Sequence, residues 1–136
     1  MAPRLEARTV LIVDDDPSIR AMLTDALTVE GYTVLTASDG LQALHQLGLS
    51  IPDVVILDVM MPHADGMRVL ESMRSEPRTR DVPVVMLTAR TDEMTFWAGW
   101  QRGCDEMMRK PFELDDLFAT LDNVLLGPKA KSKRFA

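Results

Sequence analysis

Two apolar runs of strand length stop abruptly in carboxylates: VLIVDDDP over residues 10–17 and VVILDVMMP over 54–62. No other feature constrains the fold of this chain as strongly. A run of Val, Ile, Leu and Met without polar alternation reads as a strand buried on both faces. Such strands belong to parallel sheets covered by helices. A carboxylate at the end of the run marks where the strand leaves the core. Strands are expected at Thr9–Val13, Thr33–Thr36, Val54–Leu57, Val84–Leu87 and Glu106–Met108. The last is short and weakly apolar, and its place in the series argues for it more than its composition.

Amphipathic stretches fill the gaps. Ile19, Met22, Leu23, Ala26 and Leu27 repeat at the spacing of one helix face, with Pro17 at the start and Gly31 at the end. Asp39 can cap a second helix that runs through Leu41, Leu44 and Leu47. A third helix is expected near Gly66–Ser75, with Val69, Leu70 and Met73 inward, and a fourth over about Asp92–Arg102. A fifth runs Leu114–Leu125, with Leu114, Leu117, Phe118, Leu121 and Leu125 inward. Five βα units in series imply an α/β fold, a parallel sheet with helices on both faces. Ligands of such sheets bind beyond the C-terminal strand ends, where the strand order reverses.

At 136 residues the chain makes one domain with a sizeable core. No apolar run approaches the roughly 18 residues of a membrane span, and MAPRLEAR lacks the apolar stretch of a secretory signal. The single cysteine, Cys104, excludes an internal disulfide framework and a thiolate zinc site. A cytoplasmic location is expected. The chain carries 15 Lys and Arg against 21 Asp and Glu, a net charge of −6. Four of the basic residues lie in the tail at 128–136, which has no acid, so residues 1–127 carry −10. An acidic body argues against direct nucleic-acid binding and suits a cation and a basic protein partner. The tail, with Lys129, Lys131, Lys133 and Arg134, reads as a solvated extension or a linker.

Asp14, Asp15 and Asp16 close the first strand, Asp58 the third and Thr88 the fourth, and Lys110 follows the fifth. A parallel sheet brings all of them to one edge. Carboxylates clustered there repel one another, and a divalent cation relieves the cost. Mg²⁺ takes oxygen ligands, commonly one or two carboxylates with waters and a phosphate. Asp58 can act as a nucleophile on phosphorus to give an acyl phosphate, with Lys110 neutralising the transferring oxygens and Thr88 hydrogen-bonding the phosphoryl group.

This arrangement resembles the receiver domain of bacterial two-component response regulators, chemotaxis regulators among them. The resemblance runs from about Arg8 to Leu126. It rests on VDD, ILDVMMPHADG, MLTAR and KPF, in that order and at the family's spacing. It implies a flavodoxin-like (βα)5 doubly wound sandwich with strand order 2-1-3-4-5. A receiver would occupy 8–126, with an N-terminal extension at 1–7 and a basic tail or linker stump at 127–136. It implies Asp58 as phosphoacceptor, with Thr88 and Lys110 contacting the phosphoryl group. The implied ligands of Mg²⁺ or Mn²⁺ are Asp14, Asp15, Asp58 and the Met60 backbone carbonyl, with Asp15 direct and Asp14 acting through water. It also implies a cis Lys110–Pro111 bond.

The implied partners are a sensor histidine kinase or histidine phosphotransfer protein as donor, and a downstream protein target or effector domain. No membrane and no direct nucleic acid are implied, and a homodimer is expected to depend on phosphorylation if it forms. The chain would catalyse its own phosphorylation and slow dephosphorylation without being an enzyme in the turnover sense. In this family phosphorylation draws the threonine, here Thr88, inward and changes the face around the fourth helix, fifth strand and fifth helix.

Three positions depart from the common pattern. Met107 stands where most relatives carry the aromatic of the switch, three residues before the lysine. Met60 and Arg90 stand at the positions that set phosphoryl lifetime, and neither readily orients a hydrolytic water, which implies a long-lived phosphoryl group. Trp97 and Trp100 read as core for at least one and as a partner surface for the other. Asp16 is expected at the helix start, His45 and His63 on the surface, and Cys104 packed.

Other functions fit less of the sequence. A degenerate receiver acting as a scaffold would be expected to lack Asp58, Thr88 or Lys110. An aspartyl-nucleophile phosphohydrolase would use the D-x-D of Asp14 and Asp16 but leaves Asp58 unexplained. A flavin phosphate would be repelled by the acidic first loop. The output stays open between a stand-alone regulator and the N-terminal part of a longer protein.

Overall fold

The computed structural model describes residues 8–61, 66–88, 98, 100 and 102–126. Its strands are β1 (Thr9–Val13), β2 (Thr33–Ala37), β3 (Val54–Asp58), β4 (Val84–Thr88) and β5 (Glu106–Arg109). They form one parallel sheet in the expected order, β2-β1-β3-β4-β5. Four described helices accompany it: α1 (Pro17–Val29), α2 (Gly40–Leu49), α3 (Gly66–Ser75) and α4 (Leu114–Leu126). The helix expected over Asp92–Arg102 falls largely outside the described residues, and Trp97, Arg90 and His63 lie outside them altogether.

The alternation of side chains along a strand explains why three strands are apolar throughout. Val10 and Ile12 of β1, Val54 and Ile56 of β3, and Val85 and Leu87 of β4 face a core shared with Leu23 and Leu27 of α1 and Leu117 and Leu121 of α4. Leu11 and Val13, Val55 and Leu57, and Val84 and Met86 face a second core with Ala43 and Leu47 of α2 and Val69, Leu70 and Met73 of α3. Every one of these residues is buried. The edge strand β2 is only half-buried, which is why Thr33 and Thr36 are tolerated there.

Each of the four later strands runs one residue past its expected end, to Ala37, Asp58, Thr88 and Arg109. Sheet pairing continues through the first polar residue, so Asp58 and Thr88 belong to the strands rather than to the loops. Two helix positions differ from the periodic reading. Leu41 and Met22 are exposed, because Gly40 and Ala43 let α2 sit close to the sheet and α1 is narrow on its buried side, with Leu23 and Leu27. In α4 Val124 joins Leu117 and Leu121 in the core, while Leu114, Phe118 and Leu125 pack at its margin.

Helix ends follow local chemistry. The Asp16 carboxylate accepts from Ser18 N at 2.8 Å, and the Asp39 carboxylate from Gln42 N at 2.8 Å. Gly31, at φ +101°, ends α1 with Gly31 N–H donating to Thr28 O and Tyr32 N–H to Leu27 O. At the N-terminal edge of the sheet, a pair the sequence did not announce ties three segments together. Arg74 donates to the carbonyls of Gly103, Arg80 and Val82 and to the Asp105 carboxylate at 3.0 Å. Asp105 also accepts from Val84 N.

Candidate functional site

The chain runs outward from β1 to β2, then crosses back to β3, so the strand order reverses at β1 and β3. Register does the rest. The last β1–β3 pair is Val13 with Leu57, so the next residues, Asp14 and Asp58, lie side by side. They also share strand parity with Ile12 and Ile56, and so emerge on the same side of the sheet. Both are buried, at 1% and 4% exposure, and Asp15 beside them is exposed.

β5 brings the cation. Lys110 N–H donates to Thr88 O at 2.7 Å, which locks the end of β5 to the end of β4. The Lys110–Pro111 bond is cis. The ammonium donates to Asp14 Oδ2 at 2.9 Å and stands 3.6 Å from Asp58 Oδ2. Thr88 is buried beside this edge. The Asp58 carboxylate accepts from Met60 N at 3.2 Å, and Met60 itself is half exposed at the mouth.

The electrostatics follow from burial. Burial and the neighbouring Asp14 charge push the Asp58 carboxyl up to about 6, against the pull of Lys110 and the Met60 N–H. Burial disfavours the charged Lys110, but its hydrogen bond to Asp14 and the charges of Asp58 and Asp14 outweigh that and hold it above the usual lysine range. Asp58 stays ionised at neutral pH, at a cost.

Asp14, Asp15 and Asp58 each offer a carboxylate oxygen, and these oxygens lie within 4.8 Å of one another. Three carboxylates against one ammonium leave an excess of negative charge on an all-oxygen donor set. That chemistry fits a hard divalent cation such as Mg²⁺ or Mn²⁺. Asp16 stands apart and caps α1, so the D-x-D spacing of Asp14 and Asp16 does not converge. Among the other candidates, His45 is exposed and Cys104, the single cysteine of the chain, is buried. Trp100 packs partly buried against the α2–α3 core, and Met107 is buried in β5 opposite Met86.

Two site residues escaped sequence reasoning. Gly66 opens α3 with its N–H bonded to Val59 O. A Cβ there would come within 2.2 Å of the Asp58 carbonyl oxygen, so only glycine lets α3 start against the strand that carries Asp58. A glycine at the first position of a periodic helix was the available signal. Arg20, in the first turn of α1, donates from Nη1 to the Asp14 carbonyl at 2.7 Å. A cation at that end of a helix was its signal.

The family model described as "Response regulator receiver domain" matches residues 10–122. The response regulator MprA of Mycobacterium ulcerans is 39% identical over 127 residues, covering 93% of this chain and 54% of that protein. The chain spans about half the length of the curated relatives it matches. Chemotaxis protein CheY4 of Vibrio cholerae superposes with a TM-score of 0.83 at 36% identity, over 88% of this chain and 99% of that one. The signal receiver domain of a histidine kinase from Syntrophus aciditrophicus gives 0.84 at 31%, over 90% and 93%.

Proposed function

Because this chain belongs to the response regulator receiver domain family, we propose that it takes a phosphoryl group onto Asp58 from a phosphohistidine of a partner kinase or phosphotransfer protein. The observation that carries the reading is the buried Asp58 carboxylate, held by Met60 N and flanked by Lys110, Asp14 and Asp15 at the strand-order reversal. Asp58 Oδ attacks phosphorus, the P–N bond breaks, and its electron pair returns to the imidazole nitrogen. The aspartyl acyl phosphate is the product.

Asp14, Asp15, Asp58 and the Met60 carbonyl would hold Mg²⁺ or Mn²⁺, which when bound lends positive charge to the phosphoryl oxygens. Lys110, paired mainly with Asp14 at rest, turns its ammonium to the arriving phosphoryl group. The Thr88 hydroxyl hydrogen-bonds the same group and moves inward with it. At the switch position Met107 stands in for an aromatic, and its flexible side chain accommodates the change by repacking.

Met60 and Arg90 leave no side chain suited to orient a hydrolytic water, so the acyl phosphate is long-lived. The receiver unit covers 8–126, with 1–7 and 127–136 outside it. The protein works in the cytoplasm, through protein contacts of this domain rather than nucleic acid. None of the described helices is long and apolar enough to cross a membrane.

Intact mass after incubation with Mg²⁺ and acetyl phosphate tests the reading. Wild type gains one phosphoryl group and Asp58→Asn gains none. No Mg²⁺-dependent adduct on wild type, from acetyl phosphate or from a phosphorylated histidine donor, would overturn it.

A further inference from the structure

We infer that Arg20 is a positioning residue for the acidic loop, one that sets the Asp14–Asp15 peptide and thereby aims the Asp15 carboxylate. The inference rests on the cation site proposed above. Three observations carry it. First, Arg20 is the fourth residue of α1, and α1 has no acidic residue in its first turn. A cation in that turn opposes the helix dipole, so the dipole does not account for it. Second, helical side chains lean toward the N-terminus. From this position the guanidinium reaches back over the Asp16 cap to the Asp14 carbonyl, at 2.7 Å. Third, that carbonyl belongs to the peptide whose other half is Asp15, and Asp15 is the one exposed carboxylate of the three.

The rest of the loop is already fixed. Asp14 N–H donates to Ala37 O, Asp16 N–H to Asp14 Oδ1 at 2.9 Å, and Arg20 N–H to Asp16 O. The Asp14 side chain holds Lys110. The peptide between Asp14 and Asp15 is the remaining hinge, and the guanidinium bond defines its plane. A charge-assisted bond to a carbonyl is shorter and stronger than a neutral one. The short distance agrees with that role.

The inference has a sign that simple electrostatics does not. A positive charge near three carboxylates competes with a bound cation. If Arg20 acted only by its charge, removing it would tighten Mg²⁺ binding. If it orients Asp15, removing it weakens binding, as loss of a partner that orients a metal ligand commonly does by about 10- to 100-fold.

The experiment measures Mg²⁺ affinity by calorimetry on wild type, Arg20→Met, which keeps the apolar stem, and Arg20→Lys. Circular dichroism confirms the fold, and Arg20→Gln replaces the methionine variant if that one does not fold. The ¹⁹F spectrum of the beryllofluoride complex reports site geometry independently of turnover. The expected result is a Kd about tenfold higher for the neutral variant, partial recovery in Arg20→Lys, and a displaced ¹⁹F signal. Equal or tighter Mg²⁺ binding by the neutral variant would overturn the inference while leaving the functional reading intact. A lysine variant as weak as the neutral one would overturn the carbonyl bond as the cause. Wild type that binds no Mg²⁺ would remove the functional reading and this inference together.

Discussion

Replacing Asp58 with asparagine should stabilise the metal-free protein at neutral pH. The magnitude follows from the carboxyl's position. Its pKa stands near 6 in the fold against an ordinary 3.8, chiefly through burial and then through Asp14. At about 1.4 kcal/mol per tenfold change in proton affinity, ionising Asp58 costs the folded state on the order of 3 kcal/mol. The sign is fixed by the direction of the shift. Well below pH 4 the group is neutral in both states and costs nothing. Between pH 4 and 6 the folded state binds more protons, so stability falls as pH rises. Above about 6 the loss is complete. Asparagine removes the charge but brings an amide that must find partners, which returns about 1 kcal/mol. The expected gain is therefore about 1–3 kcal/mol at pH 7.5 in EDTA, shrinking toward zero near pH 4. Urea unfolding followed by circular dichroism at a series of pH values measures it. Added Mg²⁺ should narrow the gap, since a ligand that binds only the folded state stabilises wild type in proportion to its affinity. A variant no more stable than wild type at pH 7.5, or a difference indifferent to pH, would refute the account of Asp58 as a strained buried charge.

Other perturbations have equally definite outcomes. Arg74→Ala removes the cation paired with the buried Asp105 and the donor to the carbonyls of Gly103, Arg80 and Val82. Equilibrium unfolding should show a loss of about 3–5 kcal/mol. Gly66→Ala drives a Cβ into the Asp58 carbonyl oxygen; it should cost about 1–3 kcal/mol and slow acetyl phosphate labelling more than the stability loss accounts for. Gly48→Ala meets nothing within 4 Å and should raise stability by about 0.5–1 kcal/mol in the same assay. Radiolabelled acyl phosphate on wild type should persist without a phosphatase, and Met60→Asn should shorten its lifetime; equal decay rates would dissociate Met60 from that control.

The fold was legible where one physical cause acts along the chain. Burial on both faces wrote β1, β3 and β4 as unbroken apolar runs, and the polar residues at their ends, Asp14, Asp58 and Thr88, marked the sheet edge. β5, with EMMR, carried almost no signal of its own; three of its four residues sit at a margin where burial exerts little selection on composition. Leu41 lies on the exposed side of α2; periodicity counts apolar residues and cannot see that Gly40 and Ala43 supply the close face. The Arg74–Asp105 pair joins residues 31 positions apart. No local rule links them, and only the packing of α3 beside the start of β5 brings them together. Asp14, Asp58 and Lys110 were visible at strand ends. Arg20 was not, because its role depends on a backbone carbonyl, which every residue has.

The two cores divide the sheet residue by residue, alternate positions of each strand going to opposite sides. At the strand ends that division has a mechanical consequence. Asp14 and Asp58 continue the stripe of Ile12 and Ile56, which rests on α1 and α4. Thr88 continues the stripe of Val84 and Met86, which rests on α2, α3 and Met107. The pocket is thus gripped from both sides of the sheet at once. Tension on Asp58 is anchored in one layer and tension on Thr88 in the other. A group bridging the two works like a rivet through both plies, so its arrival or departure is felt on opposite faces of the molecule together.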